Sequence, residues 1–221
     1  MSAIADPATD VIPFSRLVRE RSTTSHRDSE SASFMGNLLN GDATRDDYAA
    51  LVSQHWAIYD ALEGAEPAMR DVPLVEPFLS PALTRLPALE ADLRFLIGDD
   101  WRDRLELVPA SLDYAARIRE VAADWPAGYI AHHYTRYLGD LSGGLHIGRV
   151  LARQFGFETN GISFYQFDQI ADPVAFKDAY RARLDATPWG SAVEQNRVVD
   201  EVLLAYAFNT RIFEQLGARA A

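Results

Sequence analysis

The first notable absence from this 221-residue chain is cysteine, of which it has none. Disulfide scaffolds, thiolate metal sites, cysteine nucleophiles and cysteine-ligated iron–sulfur clusters are therefore excluded. If the protein uses a metal, that metal must be held by the five histidines, by carboxylates or by a prosthetic group. The absence thus narrows the possible metal chemistry before any motif is considered.

Positive charge is also scarce, and lysine is almost missing. Of the 21 basic residues only Lys177 is a lysine, and it lies in the tripeptide Phe-Lys-Asp. A Walker A phosphate loop needs Gly-Lys followed by Ser or Thr, so P-loop nucleotide chemistry is excluded. The 32 acidic residues give a net charge of −11. This charge argues against a nucleic-acid partner and against general attraction to an anionic membrane surface.

Long apolar runs are missing too. The longest, about residues 202–208, falls far short of the roughly 20 residues that a membrane span requires. Residues 1–13 are polar and lack the apolar core of a signal peptide. We therefore expect a cytoplasmic protein with no membrane attachment.

Helical periodicity dominates the remaining sequence. Apolar residues recur every three or four positions over 48–62, behind a possible N-cap at Thr44. The same pattern predicts helices over 83–97, 111–121, 126–155, 176–184 and 198–216, with Pro109 and Pro126 at helix starts and Gly41 and Gly98 at helix ends. Only 162–167 has a strand-like composition, and it is too short to make a sheet. We predict one all-α domain of about eight helices over residues 13–217, with a flexible segment 1–12 before it and a short tail 218–221 after it.

One predicted helix, 126–155, contains four glycines, namely Gly139, Gly143, Gly144 and Gly148. Each glycine inside a helix costs about 1 kcal/mol relative to alanine, so another interaction must offset them. Gly139 and Gly143 lie about one turn apart, as do Gly144 and Gly148. The missing side chains would let the backbone approach a flat ligand or permit a kink. Close packing of small residues against a neighbouring element is the alternative.

Four of the five histidines do not form metal-binding patterns. His132 and His133 are adjacent, so on a helix they point about 100° apart and cannot chelate one ion well. His55 lies on the apolar face of its helix, as a buried core histidine would. His146 has no carboxylate or second histidine at a useful spacing. No pair makes a His-x-x-x-His site.

His26 differs because Glu30 follows it at i+4, on the same face of a helix that we expect to begin shortly before it. A carboxylate that accepts a hydrogen bond from the second ring nitrogen commonly orients a metal-ligating imidazole. An ordinary surface pair is the alternative that this spacing leaves open.

Several segments resemble one family. Residues 26–35 (His-Arg-Asp-Ser-Glu-Ser-Ala-Ser-Phe-Met) resemble the proximal-helix motif of the haem oxygenases. Residues 134–144 (Tyr-Thr-Arg-Tyr-Leu-Gly-Asp-Leu-Ser-Gly-Gly) are similar to their distal-helix signature. Later blocks of the family are matched by 164–167, 176–184 and 209–214, and the order and spacing agree from about residue 14 to 216.

This resemblance implies an all-α fold that holds haem b between a proximal and a distal helix. His26 would be the axial iron ligand and Glu30 its hydrogen-bond partner. Gly139 and Gly143 would let the distal backbone lie against the porphyrin. A distal network would organise water and protons, and the residues that match it are Asp140, Arg136, Tyr59 and Asn209.

The resemblance also implies contacts to the haem propionates, from Arg19, Tyr134, Lys177 and Arg181. Lys177 and Arg181 are an i, i+4 pair that could meet a carboxylate from one helix face, although a solvated face is the ordinary explanation of such a pair. Because both match, we expect cleavage at the α-meso carbon. The sequence departs from the family pattern after Gly144, where Leu145 and His146 stand in place of the usual glutamine.

The implied reaction converts haem, as both substrate and cofactor, to biliverdin, carbon monoxide and ferrous iron with O₂ as oxidant. Because the chain has no flavin or nicotinamide fingerprint, electrons would come from a ferredoxin, a flavodoxin or an NAD(P)H-dependent reductase. We expect a monomer. Two other hypotheses stay open at this point: a haem carrier, store or sensor on the same fold, and a helical scaffold without a cofactor.

Overall fold

The computed structural model describes residues 12–220, which form nine α-helices, joined by short 3₁₀ turns, and no strand. Most of the segment predicted to be flexible, 1–12, lies outside these residues, as does Ala221. None of the helices in the described region has both the length and the apolar character that a membrane crossing requires. The helices are α1 (Phe14–Glu30), α2 (Ser33–Asn40), α3 (Arg45–Met69), α4 (Leu86–Ile97), α5 (Pro109–Asp124), α6 (Pro126–Gly139), α7 (Leu145–Phe155), α8 (Pro173–Ala186) and α9 (Ala192–Ala220).

Local signals set most helix boundaries as predicted. Thr44 caps α3 in a reciprocal capping box with Asp47, so two backbone N–H groups at that end are satisfied. Pro109 and Pro126 occupy the first positions of α5 and α6, where a missing N–H costs nothing. Gly41 ends α2 in the left-handed conformation, with φ of 89°, which only glycine adopts without strain.

Several predicted boundaries differ from the structure; α3, for example, continues to Met69 rather than ending near residue 62. Helix α4 begins at Leu86 rather than near residue 83, because a separate 3₁₀ turn, Pro81–Leu83, comes first. Helix α9 starts at Ala192 and continues to Ala220, so the residues predicted as a tail are helical as far as the structure describes them. The predicted single helix over 126–155 is divided into α6 and α7 by a π-helical turn, Asp140–Gly144.

Helix packing leaves a cleft between α1 and α6. Helix α9 packs against α1, α5 and α6, while α3 packs against α4 and α5. Because α1 and α6 both lie on α9, their facing sides can enclose a ligand. Bulky aromatic side chains fill the interior around these helices, and the largest fully buried ones are Trp101, Tyr48, Tyr59, Tyr114, Tyr129 and Tyr180.

A buried ion-pair cluster connects α5, α6 and α9. Glu201 accepts hydrogen bonds from Arg117 at 2.7 and 2.8 Å and from Nε2 of His132 at 2.8 Å. Burial alone would raise the pKa of Glu201, but the hydrogen bonds from Arg117 and His132 outweigh it and hold the pKa at about 2. The folded state therefore strongly prefers the ionised carboxylate.

We expect Glu201→Gln to lower the free energy of unfolding at pH 7 by about 3 kcal/mol, since each pKa unit is worth about 1.4 kcal/mol. Because the pKa of Glu201 is lower in the folded state than its usual value of 4.5, the carboxylate contributes its full stability above pH 4.5, and that stability is lost as the pH falls toward about 2. Urea unfolding at pH 7 and pH 3 should show the two proteins converging in acid, whereas Glu214→Gln, on an exposed position, should change little. A difference that stays constant with pH would contradict this assignment.

Candidate active site

Two adjoining cavities, of about 350 Å³ each, lie between α1 and the segment formed by α6, the π turn and α7. They share His26, Glu30, Thr135, Gly139, Ser142 and Tyr206 in their linings, so they form one cleft with an outer and an inner part. The outer part is polar and carries three arginines, Arg19, Arg27 and Arg181. The inner part is more apolar, with Met35, Leu51, Ile147 and Phe213.

The four glycines of the distal segment divide into two pairs with different surroundings. A Cβ placed on Gly139 or Gly143 would meet no atom within 4 Å, because both residues face the open cleft. A Cβ on Gly144 would lie 3.1 Å from the ring of Tyr165, and one on Gly148 would lie 2.8 Å from the Tyr165 Cβ. One pair therefore leaves space beside the cavity, and the other allows close packing against a side chain.

The turn that carries Tyr165 is fixed by a buried carboxylate. Asp92 of α4 accepts three backbone hydrogen bonds, from Gly161 at 2.9 Å, Ser163 at 3.0 Å and Phe164 at 2.8 Å. Burial raises the pKa of Asp92, and these amides counteract the rise. The region that has strand-like composition is thus a 3₁₀ turn, Ser163–Tyr165, held by a distant side chain whose role had no signal in the sequence.

His26 lies in the second half of α1, four residues before its end, and not near the start of a helix as expected. Its Nδ1 is 3.2 Å from a Glu30 carboxylate oxygen, which confirms that the two side chains share a face. Tyr206 of α9 packs edge-on against the imidazole, with the ring centroids 5.6 Å apart. The side chain keeps 45% of its surface exposed and lines the cleft, so the imidazole is accessible to a ligand there.

The four predicted distal residues lie in one connected network. Tyr59 donates a hydrogen bond to Asp140, the first residue of the π turn. Arg136 Nη1 donates to Asn209 Oδ1 at 3.2 Å, and Nη2 lies 3.8 Å from the other Asp140 oxygen. Asp140, Arg136 and Asn209 line the inner cavity. The network therefore places an acid, a fixed cation and an amide at the cavity wall.

Burial sets the acid–base character of this network. It raises the pKa of Asp140, and both Arg136 and the hydrogen bond from Tyr59 act in the opposite direction without cancelling the rise. Burial also raises the pKa of Tyr59 well above its usual value, so Tyr59 remains a donor. For Arg136 burial would lower the pKa, but Asp140 and Tyr59 more than compensate, and the guanidinium stays charged. Asp140 is the member best suited to exchange a proton.

His55 was interpreted from the sequence as a core histidine, and it is buried, but it also lines the inner cavity. Its Nδ1 lies 3.1 Å from Arg136 Nη2, which joins it to the distal network. Its i+4 spacing from Tyr59 on α3 was the one signal in the sequence. Tyr206, which borders both parts of the cleft beside His26, had no comparable signal.

Three of the four predicted propionate contacts, Arg19, Tyr134 and Arg181, line the outer cavity. Lys177 instead reaches the π turn, where its Nζ lies 3.1 Å from Ser142 Oγ and 3.4 Å from the Leu141 carbonyl oxygen. Arg181 also forms an ion pair with Asp178 at 2.8 Å. The i, i+4 pair on α8 thus contacts two different parts of the site, with Arg181 at the outer cavity and Lys177 at the π turn.

The other histidines lie away from the cleft. His132 and His133 are buried and hydrogen-bonded, to Glu201 and to Tyr180, and His146 is exposed on α7. Among residues 12–220 no cluster of three or more histidine, aspartate or glutamate side chains is arranged to hold a metal ion. Leu145, beside His146, is partly buried.

Comparison with known proteins agrees with this geometry. A family model described as "Heme oxygenase" matches residues 12–215. Heme oxygenase 1 of Synechocystis sp. is 35% identical over 90% of this chain and 82% of its own length, and human heme oxygenase 1 is 34% identical over 95% and 74%. The crystal structure of Synechocystis heme oxygenase-1 in complex with heme has a TM-score of 0.89 at 33% identity, covering 94% of each chain. The heme oxygenase of Leptospira interrogans has a TM-score of 0.87 at 31% identity, covering 92% of this chain and 100% of its own. The predicted all-α fold is confirmed, and the chain belongs to the haem oxygenase family.

Proposed function

We propose that this protein opens the porphyrin ring of haem to give biliverdin, carbon monoxide and ferrous iron, with O₂ and external electrons. The observation that carries the proposal is a cleft with a histidine on one wall and a buried aspartate network beside two unobstructed glycines on the other. Family membership supports the same reaction. A protein that only carries haem would have no need for an acid at this position.

The residues present fit a flat, anionic, iron-containing ligand. Gly139 and Gly143 leave the distal wall free of side chains, and His26 offers a ring nitrogen from the opposite wall. The outer part of the cleft supplies Arg19 and Arg181 for carboxylates. When bound, haem supplies both the iron that activates O₂ and the carbon atom that is oxidised.

Substitution by alanine should change the stability of the fold in opposite directions at the two glycine pairs. Gly139→Ala should stabilise the haem-free fold by up to about 1 kcal/mol, since alanine favours the helix and its Cβ meets nothing, yet it should weaken haem binding by narrowing the cleft. Gly148→Ala should destabilise the fold by about 1–3 kcal/mol, because Tyr165 must move. Thermal unfolding and haem titration measure both effects. Equal stability changes in the two variants would refute the division of the glycines.

His26 and Glu30 have complementary roles in this proposal. His26 Nδ1 lies 3.2 Å from the Glu30 carboxylate, and this contact would orient the ring and leave Nε2 to bind the iron. A neutral imidazole donates less electron density to iron than a thiolate does. Thiolate ligation, in contrast, favours O–O cleavage. Tyr206 restricts rotation of the ring from the α9 side.

Asp140 has the role of holding and moving a proton on the distal side. Its raised pKa makes proton exchange with water in the inner cavity accessible, while Tyr59 and Arg136 hold its two oxygens in place. Asn209 in turn fixes Arg136. The network thereby places the group that exchanges protons at one defined region of the cavity wall.

The site of ring opening depends on how the haem is rotated in the cleft, and we expect the α isomer of biliverdin. Arg19, Tyr134, Lys177 and Arg181 would fix this rotation through the propionates. Chromatography of the extracted product should show biliverdin IXα from the wild type and a mixture of isomers from a Lys177→Ala, Arg181→Ala double variant. Arg183→Ala, an exposed arginine on the same helix, is the matched control and should leave the product unchanged. A β or δ isomer from the wild type would overturn the assignment.

The partners follow from the chemistry and remain part of this proposal. The sequence offers no nucleotide-binding fingerprint, so a ferredoxin, a flavodoxin or an NAD(P)H-dependent reductase would supply electrons. The basic side chains around the outer cleft stand out on a chain of net charge −11 and suit an acidic redox partner. We further propose that the protein acts as a cytoplasmic monomer.

Turnover of bound haem tests the function directly. Purified protein, loaded with haem and given a reductant in air, should lose its Soret band and gain biliverdin absorbance, with carbon monoxide released. A Soret band that persists during sustained electron supply would show a haem carrier or sensor instead.

A further inference from the structure

One side chain of the inner cavity, His55 of α3, is held in a single orientation and has no role in the reaction proposed above. The residue is only 8% exposed, and its ring stacks on Phe164 with the centroids 5.1 Å apart and an interplanar angle of 23°. Phe164 is held in place by the backbone hydrogen bond that Asp92 accepts from it. The imidazole is therefore fixed in orientation by a neighbour that is itself fixed.

The contact with Arg136 determines which ring nitrogen of His55 carries the proton. A guanidinium has only donors, so the 3.1 Å contact from Arg136 Nη2 requires His55 Nδ1 to be the acceptor. The proton of the neutral ring must then be on Nε2. Burial, and next the charge of Arg136, lower the pKa of His55 well below its usual value. The ring is a neutral imidazole of one defined tautomer.

The Nε2–H group of His55 belongs to a ring that lines the inner cavity. No residue of the described region 12–220 accepts a hydrogen bond from it, and it is not among the buried polar atoms that lack a partner, so it retains accessible surface. His55 lines the same cavity as Asp140, Gly139 and Gly143. A donor without a protein partner in a largely buried ring requires something in the cavity to bind.

We propose that His55 is a further distal positioning residue, which donates a hydrogen bond from Nε2 to the water or diatomic ligand held beside Asp140. The inference rests on the proposed function and deepens its distal site. Arg136 connects the two groups, since it donates to His55 and lies beside the Asp140 carboxylate. Asp140 can accept or release a proton, whereas neutral His55 only donates a hydrogen bond, and so fixes the orientation of the shared partner without competing as an acid.

Three substitutions at His55 test the roles of its two ring nitrogens independently. The amide nitrogen of glutamine can take the place of Nε2, so His55→Gln retains the donor. The oxygen of asparagine can take the place of Nδ1, so His55→Asn retains the acceptor for Arg136 and loses the donor. His55→Leu loses both. His146→Gln, at an exposed position on α7, is the matched control.

The ferrous haem complexes of these proteins, with carbon monoxide as the probe, report the donor without turnover. A hydrogen bond to the probe lowers its C–O stretching frequency, so the Asn and Leu variants should show a higher frequency than the wild type and the Gln variant. Carbon monoxide should leave the Asn and Leu variants about 2- to 10-fold faster, the range expected for one lost hydrogen bond. If the C–O frequency of the Gln variant matches those of the Asn and Leu variants, or if all variants have the wild-type frequency, the assignment is wrong.

The haem-free wild type offers a test that needs no substitution. Nitrogen-15 NMR of the histidine side chains should show His55 protonated on Nε2 and not on Nδ1 at neutral pH. The opposite tautomer, or a doubly protonated ring, would overturn the proposal even if every variant failed to fold.

These readouts also keep the proposal separate from the proposed function. If the wild type retains its Soret band under turnover but the probe frequencies change as expected, haem degradation is refuted and His55 remains a distal donor. If biliverdin forms and the frequencies do not respond, the function stands and the role of His55 is refuted.

Discussion

The Asp140→Asn protein should bind haem with nearly unchanged affinity and form biliverdin about 10²- to 10⁴-fold more slowly, the contribution typical of a positioned acid or base. Asparagine has the same shape and can still accept from Tyr59, but it cannot exchange a proton. The Asp140 carboxyl lines the inner cavity, and its pKa is raised by burial, so proton exchange is the property that the substitution removes.

Haem titration and the single-turnover rate of biliverdin formation separate binding from chemistry for this variant. Tyr59→Phe, which deletes one hydrogen bond to Asp140 and keeps the carboxyl, should have a smaller effect in the same direction. Asp113→Asn, at an exposed position on α5, is a control that should match the wild type. An Asp140→Asn protein with the wild-type rate would remove Asp140 from the mechanism.

Replacing His26 with glycine should have the largest effect on haem binding. We expect affinity to fall by more than about 100-fold, since loss of a partner that merely orients a ligand already costs 10- to 100-fold in metal sites. The Soret band of any haem that still binds should shift, because the iron loses its protein ligand. Added imidazole should restore part of the wild-type spectrum by occupying the space that the side chain leaves.

Glu30→Gln should have a smaller effect than His26→Gly, a decrease of about 10- to 100-fold in haem affinity or activity. His146→Gly places the same substitution at an exposed histidine and should not change the haem spectrum. A His26→Gly protein with an unaltered spectrum would show that another residue holds the iron.

The sequence predicted the features that depend on short-range spacing. Capping at Thr44, proline at the start of α5 and glycine at the end of α2 are local, and each was found where it was expected. The shared face of His26 and Glu30 follows from helical geometry alone. The all-α class followed from the same periodicity, repeated along the chain.

Features that depend on distant parts of the chain could not be predicted. The two glycine pairs look alike in the sequence, and only the position of Tyr165, in a turn held by Asp92, distinguishes them. The contact of Lys177 with Ser142 depends on how α8 approaches the π turn. His55 has the apolar neighbours of a core residue, so its place at the cavity became visible only in three dimensions.

The two halves of the distal segment are unequally anchored, and this has a consequence for how the cleft opens. In α6 eleven of fourteen residues are buried, whereas in α7 only Gly148 and Leu151 are. Local opening begins where few groups are buried, so α7 should fluctuate while α6 stays fixed. The π turn lies at the boundary between them. A large planar substrate could therefore enter, and a bent product leave, by movement of α7 alone, without disturbing the acid that α6 and α3 hold in place.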